Sequence, residues 1–432
     1  MANTSTLDAL LKDDYGPALW SQLNDETPMV DMFERDDQAT WEGRQHIEPI
    51  LVERNRGAYA TAEGGAPPTA GRQTVENYRI PMRYIHGAIQ VTAQLMKATK
   101  SNKGAFVRGM RLEMERLLDD LRVLRNFYMW GDGRGIRCFL DSGTSNAATL
   151  DVDTPAGITG NTNGARFLNV GDEVGLIVPA TGALRHTSTN TVTAINSTGQ
   201  TVTMDSDNAW ASATDGDYVV KAYGNDASLA VQDTEFNHAP MGMSGMVDDG
   251  TSVNSYFGLS RTTFPILQSL LISSVGALSA DIIQRAIDVI AQMGRGIIKY
   301  HIMHPSTRRA YLTLMENDRR YTHEYLMKPD LGTGSAKDGS KGVCTFGGVP
   351  IEIDHFAPYG EWFGFDNRSA VRYVMADGEW VDEDGAILSR TAGAVDTFDA
   401  VYRIYENFAL LQPNQSFKLT GITTNVVVVH VR

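Results

Sequence analysis

The sequence predicts an α+β fold on three observations. A long amphipathic helical stretch lies at 103–131, and runs of period-two alternation occur near 78–84 and in the last third of the chain. Helices and strands also follow one another without the strict alternation of a parallel α/β sheet. At 432 residues with 42% hydrophobic content the chain is long enough for two or three packed units with sizeable cores.

Taken in order, residues 1–45 are polar and acidic with scattered aromatics (Tyr15, Trp20, Phe33, Trp41), a composition suited to an arm lying across another surface. The stretch GAYATAEGGAPPTAG (57–71) carries Gly64, Gly65, Pro67 and Pro68, which forbid regular structure. Beyond it, in YRIPMRY, Tyr78, Ile80, Met82 and Tyr84 alternate with Arg79, Pro81 and Arg83. Pro81 cannot donate to a ladder and restricts this strand to an edge or an isolated hairpin. Residues 46–96 are therefore expected to form one long two-stranded loop projecting from the body.

In KGAFVRGMRLEMERLLDDLRVLRNFYMWG (103–131), Met110, Met114, Leu117, Leu121, Leu124 and Tyr128 recur at helical spacing. Arg111, Glu115, Arg116, Asp119, Arg122 and Arg125 fill the other face, predicted to be solvated. About 25 residues at 1.5 Å each make a rod of roughly 38 Å, and Gly131 and Gly133 end it. From 140 to 225 the composition shifts to Gly, Ser, Thr, Asn and Asp. Five short strands (FLNV, EVGLIV, NTVTAI, TVTMD and DYVVKAY) separated by turn signals predict a small antiparallel barrel or sandwich inserted into the body.

LSADIIQRAIDVIAQMG (278–294) is a compact amphipathic helix with Ser279 as N-cap and Ile282, Ile283, Ala286, Ile287 and Ile290 on its apolar face. IIKYHIM (297–303) is a strand, and Pro305-Ser306 opens a helix to about Glu316. A Gly-rich linker (331–342) precedes strands at 347–354 and 361–366, and two strand-like stretches, 401–411 and 417–431, close the chain.

The 52 acidic against 38 basic residues give a formal charge of −14, which excludes a surface built to grip nucleic-acid phosphates. Contact with DNA is expected to be passive and without sequence specificity. Cys138 and Cys344 have no ligand-like spacing, so neither a disulfide framework nor a zinc site is predicted, and a reducing compartment fits. MANTSTLDALLKDD lacks the pattern of a signal peptide, and no apolar run approaches the roughly 20 residues of a membrane span. The expectation is a soluble protein with no membrane partner.

Candidate chemistry is sparse. His301 and His304 straddle the end of a strand, where positions three apart point to opposite sides, so a junction is favoured over a metal site. GMSGM (242–246) has Met246 where a nucleophile elbow needs glycine. GDGRG (131–135) follows a helix instead of opening one and offers no helix N-terminus to a phosphate. VDEDG (381–385) and VDD (247–249) lack the spaced oxygen ligands of a calcium loop and are expected to be solvated turns. Arg116 and Asp120 at i, i+4 mark weak pairing on a helix surface. The expectation is no catalytic, cofactor-binding or metal residue, and no enzyme.

The order of elements resembles the major capsid proteins of tailed double-stranded DNA bacteriophages, whose fold is shared by encapsulin shells and the herpesvirus capsid floor. IIKYHIMHPSTRRAYLTLMENDRRY resembles the strand, junction and helix that open that family's axial domain. TFGGVPIEIDHFAP with EWFGFD is similar to its next strand and return strand, and VYRIYENFALLQPNQSFKLTGI to its C-terminal peripheral strands. The resemblance spans about 46–425, apart from the insertion. It implies an N-terminal arm (1–45), an extended loop (46–96) and a spine helix (97–139), followed by the inserted β domain (140–225). A peripheral segment (226–275), an axial domain (276–389) and peripheral C-terminal strands (390–432) complete the order.

What the resemblance implies is an icosahedral shell of pentamers and hexamers around a double-stranded DNA genome, with scaffold, portal and decoration proteins as partners. The protein would be located in the virion, and in the host cytoplasm during assembly. Some family members cross-link this loop through a lysine, but no lysine lies between Leu51 and Leu95, so covalent chainmail from this loop is not expected. No long charged scaffolding segment precedes the arm, which implies a separate scaffold or one already removed. The competing readings are an encapsulin-type compartment and, from another class, a carbohydrate-binding or hydrolytic protein carried by 140–225.

Overall fold

A computed structural model describes residues 28–35, 43–67, 69–94, 103–141, 148–157, 163–186, 190–205, 213–223, 229–294, 296–316, 344–382, 389–390 and 396–424. The arm up to residue 27, the linker at 331–342, most of VDEDG and the chain from 425 onward lie outside the described residues.

The described chain opens with α1 (Pro28–Met32) and β1 (Glu34–Arg35), then β2 (Gln45–Glu53), β3 (Thr74–Pro81) and β4 (Arg83–Thr92). Helix α2 (Lys103–Tyr128) leads to β5 (Ile136–Leu140), β6 (Thr149–Asp153), β7 (Glu173–Ile177), β8 (Asn190–Ile195), β9 (Thr201–Met204) and β10 (Tyr218–Lys221). A single turn, α3 (Met243–Met246), precedes β11 (Ser255–Tyr256), β12 (Leu259–Ser260) and β13 (Leu270–Ile272). Then come α4 (Ala280–Gly294), β14 (Tyr300–Met303), α5 (Pro305–Glu316), β15 (Cys344–Phe346), β16 (Val349–Ile353) and β17 (Trp362–Phe365). The last strands are β18 (Ala370–Trp380), β19 (Ser389–Arg390), β20 (Thr397–Leu410) and β21 (Phe417–Leu419).

Two sheets form the body. One has the order β1-β18-β20-β19, with β4 on the other flank of the long β20; the other has the order β13-β21-β17-β14-β16-β15. The chain crosses from the second sheet to the first through the 3-10 turn Asn367–Ser369, capped by Asp366, and returns through Pro413–Gln415. Period-two alternation divides the second sheet's side chains between two cores. Phe363, Phe365 and Ile302 join Phe408, Tyr373, Trp130 and Tyr78 between the sheets and α2. Trp362, Met303 and Phe417 pack on the other face under Ile283, Ala286 and Ile290 of α4 and Tyr311 of α5.

Helix α2 lies on β4, and glycine makes the contact possible. A Cβ at Gly87 would stand 2.9 Å from Leu117 Cδ1 and 3.0 Å from Leu121 Cδ1. From Glu113 onward, burial rises toward the C-terminal end of the helix: Leu121 and the run Asn126–Trp130 are buried, while Glu113, Glu115 and Asp120 are exposed.

Three sequence expectations are corrected. The projecting loop is shorter than 46–96, because β2 and β3 alone pair, from Gln45↔Pro81 to Glu53↔Thr74, and β4 instead runs ten residues along β20. The alternation continues through 78–84 across this change of partner, and Pro81 ends the hairpin ladder. The insertion is a closed six-stranded barrel, β10-β5-β6-β9-β8-β7, and begins at Ile136 inside the stretch assigned to the spine helix. FLNV is not one of its strands: Phe167 ends a 3-10 turn and its ring packs 4.7 Å from Phe127.

Sheet membership also departs from the expected segments. β18 belongs with β20, although 276–389 was expected as one domain. β13 and β21 both join the sheet of β14, although β13 lies in the expected peripheral segment (226–275) and β21 among the expected peripheral C-terminal strands (390–432). Of the final strand-like stretch, the described part (417–424) holds a three-residue strand: Phe417, Lys418 and Leu419 pair on both sides and the chain then turns at Gly421 (φ 71°), while 425–431 lies outside the described residues.

Candidate functional site

The residues that raised chemical questions in the sequence are engaged in packing and hydrogen bonds within the fold. His301 is fully buried in β14 and accepts a hydrogen bond at Nδ1 from Trp362 Nε1 at 3.1 Å; burial pulls its pKa down to about 4. His304 caps α5, its Nδ1 accepting from the Ser306 amide at 3.1 Å, and burial together with Arg166, His355 and Arg309 brings its pKa to about 2. One ring faces Trp362 and Phe417 and the other faces Tyr359, so the two imidazoles do not converge.

Ser244 is buried in α3 and its hydroxyl donates to the Trp130 carbonyl at 2.7 Å. Gly133 and Gly135 of GDGRG take positive φ at the helix stop, and a Cβ on Gly135 would collide with the Glu235 carbonyl at 2.4 Å. The VDD acids are not both solvated: Asp248 is buried, and its Oδ2 accepts from the amides of Gly250, Ser252 and Val253. Asp248 also faces the buried Arg261 at 3.7 Å, and Arg261 donates to four backbone carbonyls. Among the described residues no group of three His, Cys, Asp or Glu is placed to hold a metal, and no helix is long and apolar enough to cross a membrane.

Sequence reasoning missed a set of buried ionic staples that bind α2 to both sheets. Arg125, expected on the solvated face, forks onto Glu406 of β20 (Nε–Oε1 2.6 Å, Nη2–Oε2 2.8 Å), and Arg372 of β18 reaches Glu406 Oε2 at 2.7 Å. Asp354 accepts from Asn126 Nδ2 and Trp130 Nε1, each at 2.9 Å, and from the Phe356 amide at 2.7 Å. Glu235 holds both Arg137 and the Tyr128 hydroxyl, the latter at 2.8 Å. Arg166 carries the barrel onto the body through the carbonyls of His355 and Ala357. The signal for the first staple was present in IYENFALL, where Glu406 and Asn407 interrupt an apolar run that leaves them no exposed face.

The surface feature with functional content is the hairpin. Its root is fixed: Arg79 N donates to the Phe257 carbonyl at 3.0 Å, Asn407 Nδ2 to the Pro81 carbonyl at 2.7 Å, and Tyr78 packs edge-on against Tyr256. From this root outward, Ile47 pairs with Arg79 and Leu51 with Val75, and the apolar members of this face stand open, with Ile47 51%, Leu51 49% and Val75 58% exposed. Beside β2 a cleft of about 780 Å³ runs between Ile50 and Leu51, Ile266, Met293 and Pro413. A two-stranded ribbon is marginally stable by itself in water, and contiguous exposed apolar surface marks an interaction site. The arrangement is a fixed root carrying a ribbon whose apolar face with Ile47, Leu51 and Val75 stands open among the described residues.

No protein-family model matches this sequence, and no curated protein matches it. Comparison with solved structures does find matches. The cyanophage A-1(L) capsid subunit aligns over 98% of this chain and 100% of its own, with a TM-score of 0.53 at 12% identity.

The chain has the tailed-phage capsid fold.

The capsid of an empty GTA particle aligns over 98% of this chain and 100% of its own (TM-score 0.53, 8% identity), and that of the native GTA particle over 96% of each (0.50, 9%). The exposed apolar face lies on β2 and β3.

Proposed function

We propose that this chain is the major capsid protein of a tailed phage. It self-assembles as pentamers and hexamers into an icosahedral shell around double-stranded DNA. The observation that carries the reading is the full-length likeness to a cyanophage capsid subunit in a chain whose extended loop leaves its apolar face open. A ribbon of this kind is stabilised when a neighbouring copy covers it, and repetition of one such contact around closed symmetry builds rings and then a shell.

The protein acts as a building block and not as an enzyme, and buried ion pairs such as Arg125–Glu406 tie its elements together. The formal charge of −14 suits a wall that must not trap packaged DNA, which it encloses without reading sequence. Scaffold and portal proteins, and decoration proteins on the outer surface, complete the assembly in the host cytoplasm before the protein resides in the virion. The barrel, a self-contained core held to the body by Arg166 and Glu235, faces outward near capsomer junctions. With no lysine between Leu51 and Leu95, non-covalent overlap holds the loops.

Electron microscopy of the purified chain tests the reading. Closed icosahedral shells are expected, and DNA-filled tailed heads in an infected lysate separate a phage from an encapsulin-type compartment with protein cargo. A chain that stays monomeric under every assembly condition would overturn it.

A further inference from the structure

We infer that the cleft at the root of the hairpin, lined by Arg79, Arg83 and Arg134, receives an acidic side chain from a second copy of this chain. The inference rests on the shell-building reading and names one of its contacts.

The cleft measures about 400 Å³. Three guanidinium groups line it against a single carboxylate, Asp132, which is already held by Arg134 at 2.6 Å. Arg83 gives Nη1 to the Asn237 carbonyl at 2.6 Å, while its Nε is buried with no partner, and burial lowers its pKa. Among the described residues neither Arg79 nor Arg83 pairs with a carboxylate. Elsewhere in the chain Arg125, Arg137 and Arg185 each fork onto one, and Arg372 reaches two, Glu406 and Asp377. A desolvated guanidinium without a counter-charge is costly, and its planar fork matches a carboxylate.

Two observations identify a second copy as the source. The chain carries 52 acidic against 38 basic residues, so unpaired carboxylates are plentiful on any copy. The register also sets Arg79 opposite Ile47 on the hairpin face that carries Leu51 and Val75. The open apolar strip therefore ends in this cationic cleft, and a neighbour covering the strip brings its own surface to the guanidinium groups.

Arg79 is exposed and makes no side-chain bond within the described residues, so Arg79→Glu leaves the fold intact. It is expected to raise the protein concentration needed for shell formation, read by sedimentation and electron microscopy, by about tenfold or more. Arg79→Lys keeps the charge and retains assembly. Zero-length carbodiimide coupling of shells of that variant is expected to join position 79 to an Asp or Glu of another copy, identified by peptide mass spectrometry. Wild-type shells with equally competent Arg79→Glu shells, or Arg79→Lys shells without that cross-link, would overturn this inference alone. Inorganic phosphate binding that Arg79→Glu abolishes without any effect on assembly would make the cleft a free-anion site and also overturn it. Wild-type protein that never assembles removes the shell-building reading and this contact with it.

Discussion

Replacing Glu406 by alanine tests how α2 is held to the β20 sheet. Glu406 is fully buried, and the two arginines it holds are only 14% and 15% exposed. Removing the carboxylate leaves Arg125 with no partner for its fork, whereas Arg372 retains Asp377 at 2.5 Å. Breaking a buried pair by deleting one partner costs about 3–5 kcal/mol. With one arginine stranded and the other half-compensated, about 4 kcal/mol is expected, a large share of the roughly 5–15 kcal/mol that holds a typical protein folded. Urea unfolding of the unassembled protein, followed by tryptophan fluorescence, measures it. Arg125→Met with Glu406→Leu should recover most of the loss, because an apolar pair does not carry the desolvation cost of two charges. A Glu406→Ala variant within about 0.5 kcal/mol of wild type would refute the reasoning, since that is the scale of an ordinary surface substitution.

Other outcomes follow from the same contacts. Gly87→Val should destabilise by about 1–3 kcal/mol through overpacking against Leu117 and Leu121, read as a lowered unfolding midpoint. His304→Ala removes the α5 cap and should cost about 1 kcal/mol in the same measurement. Glu361 is buried with Oε2 unpartnered, and burial raises its pKa from 4.5 to about 7 against the opposing pull of Lys418. The folded protein therefore holds this proton where the unfolded chain has released it, so the group's contribution falls as pH rises from 4.5 to about 7. Glu361→Gln should accordingly gain stability relative to wild type by about 3 kcal/mol at pH 8 and by little at pH 4. A pH-independent difference would contradict it.

The parts of the fold legible in the sequence were those whose partners are close along the chain. Helix α2 announces itself through Leu117, Leu121, Leu124 and Tyr128, and the capped helix at 280–294 through Ser279, whose hydroxyl accepts from the Ile282 amide at 3.3 Å. Long-range pairing was not legible. Nothing local distinguishes β4, which continues the alternation of β3 while changing sheets, and β18 follows β17 after a three-residue turn into a different sheet. β5 was missed because IRCFL is covered on both faces, four of its five residues being buried, and so shows no alternation. The staples escaped for a related reason: Arg125 fits a solvated helix face until β20 delivers Glu406 from 281 residues away. The open hairpin face was hidden too, since Ile47, Leu51 and Val75 have the pattern of a half-buried strand and only the fold shows them standing open among the described residues.

The central claim, that copies of this chain cover one another's hairpins to build a closed shell, is tested most directly by cryo-electron microscopy of the purified protein. Icosahedral shells are predicted, with Ile47, Leu51 and Val75 buried under a neighbouring subunit in every capsomer. A persistent monomer of about 47 kDa, or shells in which that face remains open to solvent, would contradict it.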